Sequence, residues 1–218
     1  MVGHALPKQI TRLLPLATSN RVAFKTLKLK GRQVTEPFSA SDVLVIIDMQ
    51  NIFVDGAGAW EVVGYKEAEG LIEKIRADFP GKTVVTKFVA DPKELGIWSK
   101  YYDTYPSTRL PEDHPMWDLT IDLGPGDTLI TVPTFSKWGS ELSEIVGQNS
   151  RIIMVGVATD CCVISTALGA IDAGREVIVI EDACAGTSRT NHSKTMEIMG
   201  LLGPMIRVIS ASEILGSR

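Results

Sequence analysis

Short apolar runs rich in β-branched residues alternate with segments of helical periodicity along most of this 218-residue chain. Helices are predicted over residues 65–79, 162–173 and 191–202. The apolar runs predict six strands, at residues 43–48, 83–88, 128–132, 152–155, 177–180 and 206–209. Alternation of this kind is typical of βαβ units, which bury a sheet between two layers of helices. The pattern therefore predicts an α/β fold with three α/β/α layers and a six-stranded, mostly parallel sheet.

The distribution of charge divides the chain into two parts. The first 35 residues carry seven basic side chains and no acidic one, which leaves 15 bases and 26 acids, a net charge of −11, on residues 36–218. We therefore predict a basic N-terminal arm over residues 1–40 and a folded domain over residues 41–218. We expect the arm to pack on its own domain or on a neighbouring subunit, rather than to act in targeting. The overall charge of −4 argues against a nucleic-acid partner, and no apolar run approaches the ~18 residues of a membrane span.

The cysteines and histidines show no pattern typical of a disulfide framework or a zinc site. Cys161 and Cys162 are adjacent, Cys184 is the third cysteine, and no Cys-x-x-Cys pair occurs. The three histidines are scattered along the chain. Glycine-rich phosphate-binding motifs and the serine-elbow motif are absent from the sequence. We therefore predict a reducing, cytoplasmic setting, with no bound metal and no cofactor.

Reactive side chains lie at the carboxyl ends of predicted strands, where open α/β sheets bind their ligands. Asp48 closes the first strand and is a candidate general base, or alternatively a cap for the next segment. Cys162 lies between the fourth strand and a helix, whose N-terminus is expected to lower the thiol pKa and favour a nucleophile. The alternative for Cys162 is a small buried hydrophobe. Lys87 and Lys137 follow the second and third strands and are candidates for a cation beside the thiolate.

Segment 90–123 is long, irregular and rich in proline and aromatic residues. Loops of this length inside a compact domain are often functional. We expect Phe53, Trp60, Trp98 and Trp138 to line a pocket that favours a flat or apolar substrate. Anchoring of the loop by buried aromatic rings is the alternative.

Two motifs make the chain resemble a known family. Residues 45–53, Val-Ile-Ile-Asp-Met-Gln-Asn-Ile-Phe, resemble the opening motif of the isochorismatase-like cysteine hydrolases. Residues 156–163, Gly-Val-Ala-Thr-Asp-Cys-Cys-Val, resemble the motif that carries the nucleophile of that family. The resemblance covers about residues 43–212 and implies a six-stranded parallel sheet flanked by helices.

The resemblance also implies a catalytic triad of Asp, Lys and Cys. Carried over to this chain, Asp48 is the general base that deprotonates Cys162, and Cys162 attacks an amide or carbamoyl carbon to form an acyl-enzyme. The family further implies a cis peptide bond between Val157 and Ala158. The N–H groups of Ala158 and Cys162 would then form the oxyanion hole.

The lysine of the triad is where this sequence departs from the family. The family lysine usually ends the third strand, but Thr131 or Val132 takes that place here, and neither can replace it. We expect Lys137 to reach back from the start of the next helix and complete the triad. Lys87, at the end of the neighbouring strand, is the second choice.

A second departure concerns metal binding. Nicotinamidases of the family bind a metal through Asp-x-His-x-His after the second strand, whereas residues 87–92 of this chain contain no histidine. The resemblance thus implies no metal, and a cysteine nucleophile favours C–N cleavage of a small amide, carbamoyl or ureido compound. Two alternatives stay open: an isochorismatase that acts on a vinyl ether, and a non-catalytic member that binds a small molecule after losing the family lysine. Family members are commonly dimers or tetramers, so we expect a homodimer or homotetramer.

Overall fold

A computed structural model describes residues 38–215 of the chain. The basic arm predicted over residues 1–40 lies almost wholly outside the described residues, so its packing stays a prediction. The strands are β1 (Val43–Ile47), β2 (Lys82–Phe88), β3 (Thr128–Val132), β4 (Ile152–Val157), β5 (Val177–Ala185) and β6 (Ile206–Ile209). The helices are α1 (Tyr65–Ala77), α2 (Trp98–Thr104), α3 (Ser140–Val146), α4 (Ile164–Asp172), α5 (Arg189–Gly200) and α6 (Ser212–Leu215).

The strands form one sheet in the order β3-β2-β1-β4-β5-β6, and every neighbouring pair is parallel. β1 lies in the centre, and all of its residues are buried because strands flank it on both sides and helices cover both faces of the sheet. β3 is at one edge and leaves Leu129 and Thr131 exposed. The six-stranded parallel sheet that the sequence predicts is therefore confirmed.

Helices cover both faces of the sheet and complete the three layers. On one face, alternate strand residues pack with Ala68, Ile72 and Ile75 of α1. On the other face, the intervening strand residues pack with α3, α4 and α5. Successive residues of a strand point to opposite faces, so a sheet covered on both sides needs strands that are apolar throughout. Within residues 38–215, no helix combines the length and the apolar character that crossing a membrane requires.

Three segments differ most from the prediction, and the other predicted elements match within two residues at each end. β5 continues beyond residue 180 to Ala185. It includes the exposed carboxylates of Glu181 and Asp182, and the residues after them are buried again. The helix predicted to begin at residue 162 starts instead with a π-helical turn, Thr159–Val163, that leads into α4. The segment predicted to be irregular contains α2 and two short 3-10 turns, because its aromatic side chains pack against the core.

The order of the strands opens a crevice at the carboxyl end of the sheet centre. The chain leaves β1 for β2 on one side and later returns to β4 on the other side, and such a switch point is where α/β sheets bind ligands. Gly156 allows β1 and β4 to approach closely, since its φ is +112° and a Cβ there would lie 2.2 Å from the carbonyl oxygen of Ile47. A side chain at position 156 would therefore force the two strands apart directly below the crevice.

Candidate active site

Asp48 follows the central strand β1 at this crevice and is fully buried. Its backbone has a φ of +49°, in the left-handed region that residues other than glycine seldom adopt. The Thr86 hydroxyl, on β2, accepts a hydrogen bond from the Asp48 amide at 3.2 Å and donates one to Oδ1 of Asp48 at 2.7 Å. Thr86 thus fixes both the backbone and the carboxylate of Asp48.

Lys137 places a cation beside Asp48. Its Nζ lies 2.8 Å from Oδ2 of Asp48, and neither side chain is exposed. The same ammonium donates to the carbonyl oxygen of Thr134 at 2.9 Å and lies 4.9 Å from the centre of the Phe88 ring. Ion pairs are stable in a protein interior when further hydrogen bonds satisfy their groups, and the Thr134 carbonyl and the Thr86 hydroxyl do so here. Among residues 38–215, Oδ2 of Asp48 has no aligned hydrogen-bond donor, so its partner is the charge of Lys137.

The other candidate cation, Lys87, is not brought to this site. Lys87 follows Thr86 on β2, so its side chain points away from the face that Thr86 presents. Its Nζ lies 4.0 Å from Oδ1 of Asp118, a side chain that is 64% exposed. Of the two lysines that the sequence singles out, the structure therefore places Lys137 beside Asp48.

Cys162 lies in the π-helical turn between β4 and α4 and is only 2% exposed. The turn is held by the carbonyl oxygen of Ala158, which accepts hydrogen bonds from the amides of Cys161 at 3.0 Å and Val163 at 3.1 Å. The peptide bond between Val157 and Ala158 is cis. The turn therefore carries the thiol and the two residues proposed for the oxyanion hole in one short segment.

Thr166 joins this turn to the segment that carries the lysine. Its buried hydroxyl donates to the carbonyl oxygen of Cys162 at 2.7 Å and accepts from the backbone amide of Lys137 at 2.9 Å. A single side chain of α4 thus links the backbones of Cys162 and Lys137.

Burial raises the pKa of the Cys162 thiol well above its ordinary value of 9.0, and the charge of Asp48 and a hydrogen bond with it raise this pKa further. The positive charge of Lys137 lowers the pKa of the thiol. The lowered thiol pKa expected at a helix N-terminus is therefore wrong for this protein, because desolvation outweighs the favourable charges. A protonated thiol needs a base in contact with it, and the Asp48 carboxylate occupies that position.

Three of the four residues predicted to line a pocket belong to one aromatic cluster. The ring centres of Trp60 and Phe53 are 6.0 Å apart, and Trp60 meets Phe88 edge-on at 5.2 Å. Trp98 lies on Phe88 at 6.1 Å. Because the Lys137 ammonium lies over Phe88, this aromatic cluster forms a wall of the candidate site.

Trp138 departs from the expected pocket, whereas Tyr101 contributes to the aromatic cluster. Trp138 packs against α4, where a Cβ at Gly169 would lie 3.0 Å from it, so it is not part of the aromatic cluster. Tyr101 of α2, an aromatic residue of the long segment 90–123, belongs to the cluster and contacts Trp98 and Trp60. Its pKa is raised chiefly by burial and then by the nearby thiols of Cys161 and Cys162. Tyr101 and Cys161 both pack against the core cluster that contains Trp60 and Phe88.

Three further buried polar residues of the site, Thr86, Thr166 and Gln50, have no predicted role. Gln50 donates from Nε2 to the carbonyl oxygens of Phe88 at 2.9 Å and Trp117 at 2.6 Å, and its Oε1 accepts from the Phe88 amide at 2.7 Å. It thereby ties the end of β1 to β2 and to the long loop. A polar residue inside an apolar strand or helix is the signal that marks Thr86 and Thr166, since each must find a partner when buried.

The residues after β2 do not fit the metal site of the nicotinamidases. Residues 87–92 offer one carboxylate, Asp91, and no histidine. Among residues 38–215, no group of three or more His, Cys, Asp and Glu side chains is placed so that it could hold a metal ion.

The chain is similar to known proteins in both sequence and fold. The isochorismatase domain matches residues 42–212 of the chain. A cysteine hydrolase from Pseudomonas syringae pv. phaseolicola 1448A has a similar fold, with a TM-score of 0.70 and 18% identity over 85% of this chain and 96% of that chain. N-carbamoylsarcosine amidase from Thermoplasma acidophilum has a TM-score of 0.61 and 20% identity over 79% of this chain and 98% of that chain. The pyrazinamidase of Pyrococcus horikoshii, solved in complex with zinc, has a TM-score of 0.62 and 25% identity over 78% and 99% of the two chains.

Proposed function

Because this chain belongs to the isochorismatase family, as its match over residues 42–212 shows, we propose that it is a cysteine-dependent hydrolase that cleaves a carbon–nitrogen bond. The substrate in this proposal is a small amide, carbamoyl or ureido compound, and the reaction passes through an acyl-enzyme on Cys162. The names of two proteins of similar fold, N-carbamoylsarcosine amidase and pyrazinamidase, support this class of reaction.

The observation that carries the proposal is a buried carboxylate that pairs with a cation and raises the pKa of a buried thiol. Asp48 pairs with Lys137 at 2.8 Å and interacts with the Cys162 thiol, all three groups being shielded from water. A structural ion pair alone would not require a thiol beside it. Acyl transfer needs a nucleophile, its base and a cation within one site that excludes water.

The first half of the proposed reaction forms the acyl-enzyme. Asp48 takes the thiol proton as Sγ of Cys162 attacks the carbonyl carbon, and the carbonyl electron pair moves onto oxygen. The amides of Ala158 and Cys162 donate to this oxyanion. Asp48 then gives its proton to the leaving nitrogen. The C=O bond re-forms, the C–N bond breaks, and ammonia or an amine departs, which leaves the acyl group as a thioester on Cys162. Lys137 keeps Asp48 oriented and offsets the negative charge that moves through the site.

The second half consumes water and restores the enzyme. Asp48 removes a proton from a water molecule, whose oxygen attacks the thioester carbon. The C–S bond breaks, the carboxylic acid leaves, and the proton held by Asp48 returns to Cys162. The balance is one water consumed and one C–N bond hydrolysed, so no oxidant, reductant or cofactor enters these steps.

The two alternative functions make different demands on the site. The missing lysine at the end of β3 favours a non-catalytic binding role. The pairing of Lys137 with Asp48 favours catalysis instead, because it supplies a cation at the same carboxylate. Hydrolysis of a vinyl ether does not require a thiol. An isochorismatase would therefore keep its activity on isochorismate in the Cys162→Ala variant.

Ammonia release from a panel of primary amides, carbamoyl compounds and ureido compounds tests the proposal. We expect turnover of at least one class, and we expect Cys162→Ala to lower it at least about a thousandfold. Cys161→Ala is the matched control, because it removes the neighbouring thiol, and it should change the rate less than about threefold. Acid quenching during turnover should leave a mass adduct of the acyl group on the peptide that contains Cys162. Turnover that survives in Cys162→Ala, or no turnover across the panel, would overturn the proposal.

A further inference from the structure

A pocket with a volume of about 100 Å³ opens between the loop after β2 and the turn after β3. Two carboxylate residues, Asp91 and Glu94, and two aromatic residues, Trp98 and Tyr102, contribute to its lining. Thr134 forms part of the opposite wall. None of these residues has a chemical role in the reaction proposed above.

The pocket is adjacent to the proposed catalytic groups. Thr134, which lines the pocket, also accepts the hydrogen bond from Nζ of Lys137 at 2.9 Å. Trp98, on the other wall, packs on Phe88 at 6.1 Å, and the Lys137 ammonium lies over the Phe88 ring. Thr134 and the contact of Trp98 with Phe88 therefore connect the pocket with the ion pair, so one end of a small extended substrate can lie in the pocket while its scissile bond lies at the proposed catalytic groups.

The charges at the pocket do not cancel. Glu94 is neutralised by Arg109, whose Nε lies 2.6 Å from Oε1 of Glu94. Asp91 accepts a hydrogen bond from the amide of Lys93 at 2.8 Å, but it has no ion-pair partner within residues 38–215. Asp91 thus leaves a net negative charge beside two aromatic side chains. Carboxylates and aromatic rings together attract ammonium and guanidinium groups and repel anions.

We propose that this pocket binds a cationic group, a primary ammonium or a guanidinium, at the end of the substrate remote from the scissile bond. The inference rests on the proposed amide hydrolysis and names the substrate class as cationic amides or ureides. The net charge of −11 on residues 36–218 acts in the same direction, because it raises the local concentration of cations near the domain.

Matched substrates test the preference for a cation. γ-Aminobutyramide, valeramide and the monoamide of glutaric acid have similar length and carry a positive, a neutral and a negative end. The same set with two more methylenes, ε-aminocaproamide and its neutral and acidic counterparts, covers a longer reach. We expect kcat/KM for the amine to exceed that of the neutral amide about tenfold or more at one of the two lengths, and the acid to be poorest.

Two variants assign the preference to the pocket. Asp91→Asn keeps the acceptor for the Lys93 amide and removes the charge, so it should reduce the preference to less than about threefold. Asp113→Asn is the matched control, because Asp113 is an exposed carboxylate of the same long loop outside the pocket, and it should keep the full preference. An equal kcat/KM for cationic and neutral amides, or an unchanged preference in Asp91→Asn, would overturn the inference.

Binding to an inactive variant separates this inference from the proposed function. In Cys162→Ala, calorimetric titration should show γ-aminobutyramide or ε-aminocaproamide binding about tenfold more tightly than its neutral counterpart, and Asp91→Asn should remove the difference. Such binding without any turnover in the wild type would support the pocket and overturn the hydrolase. Turnover without any preference for the cationic substrate would support the hydrolase and overturn the role of the pocket.

Discussion

Nζ of Lys137 lies 2.8 Å from Oδ2 of Asp48, although Lys137 is five residues beyond Val132, the last residue of β3. The intervening turn folds back, and the carbonyl oxygen of Thr134 holds the same ammonium at 2.9 Å. The position of the cation is thus set by the turn and not by the strand. A lysine that lies several residues beyond the end of the strand in sequence can therefore still pair with the carboxylate at the end of β1.

Removing one partner of this ion pair is expected to cost more stability than removing both. Asp48→Asn or Lys137→Met leaves an unpaired buried charge, and each should lower the free energy of unfolding by about 3–5 kcal/mol. The double variant buries no charge at this position and should be less destabilised than either single variant. Urea unfolding followed by tryptophan fluorescence measures all three, and each should also lose the proposed amidase activity.

An ion pair whose lysine is exposed and whose carboxylate is half-buried provides the control for this cycle. Lys66 and Glu69 are 2.7 Å apart, with the Lys66 side chain 61% exposed, so Lys66→Met and Glu69→Gln should couple by less than about 1 kcal/mol. Strictly additive effects of Asp48→Asn and Lys137→Met would contradict the close buried contact described here.

The Thr86 hydroxyl is expected to act on catalysis through Asp48. Thr86→Val removes the hydrogen bonds to the amide and to Oδ1 of Asp48, and we expect kcat to fall about tenfold or more with little change in KM. Thr86→Ser keeps the hydroxyl and should restore most of the rate. Thr83→Val is the matched control on the same strand, because Thr83 pairs with Leu44, far from the end of β1. Equal losses in Thr83→Val and Thr86→Val would show that the effect is on the stability of the strand.

Tyr101 is expected to control access to the thiol. Cys162 is 2% exposed, so a substrate reaches it only when the covering residues move. Tyr101→Ala removes a ring of the aromatic cluster that packs against the same core as Cys161 of the turn, and it should raise the rate of alkylation of Cys162 by iodoacetamide about tenfold. Peptide mass spectrometry gives the rate at each cysteine. Cys184, buried in β5, is the internal reference, and equal acceleration of Cys162 and Cys184 would point to general loosening of the fold.

The fold and two of the site residues could be predicted from the sequence because local patterns encode them. Buried parallel strands need unbroken apolar runs, and the residues that follow such strands meet at one edge of the sheet. Asp48 and Cys162 follow β1 and β4, which are neighbours in the sheet, so their proximity follows from the strand order.

Other features of the site depend on contacts that have no local signature. The return of Lys137 to Asp48 depends on the path of a turn and on hydrogen bonds with Thr134 and Thr166, which come from different segments. The raised pKa of Cys162 depends on how completely the surrounding layers exclude water, whereas a helix N-terminus alone predicts the opposite direction. Trp138 is an aromatic residue like those that form the cluster, but its side chain packs onto α4.

Buried thiols are expected to make the fold less stable at alkaline pH. Burial raises the pKa of Cys184 far above its ordinary value of 9.0, so the folded protein keeps a proton that the unfolded chain loses. The stabilisation is fully present below the unfolded pKa and declines above it, approaching about 1.4 kcal/mol per pH unit. Cys184→Ala removes this dependence, so the wild-type advantage over that variant in urea unfolding should shrink steadily above pH 9.0. Cys161→Ala should show a smaller effect that levels off, because the pKa of Cys161 is raised only to about 11. An advantage that stays constant with pH would mean that the Cys184 thiol ionises as readily in the folded protein as in the unfolded chain.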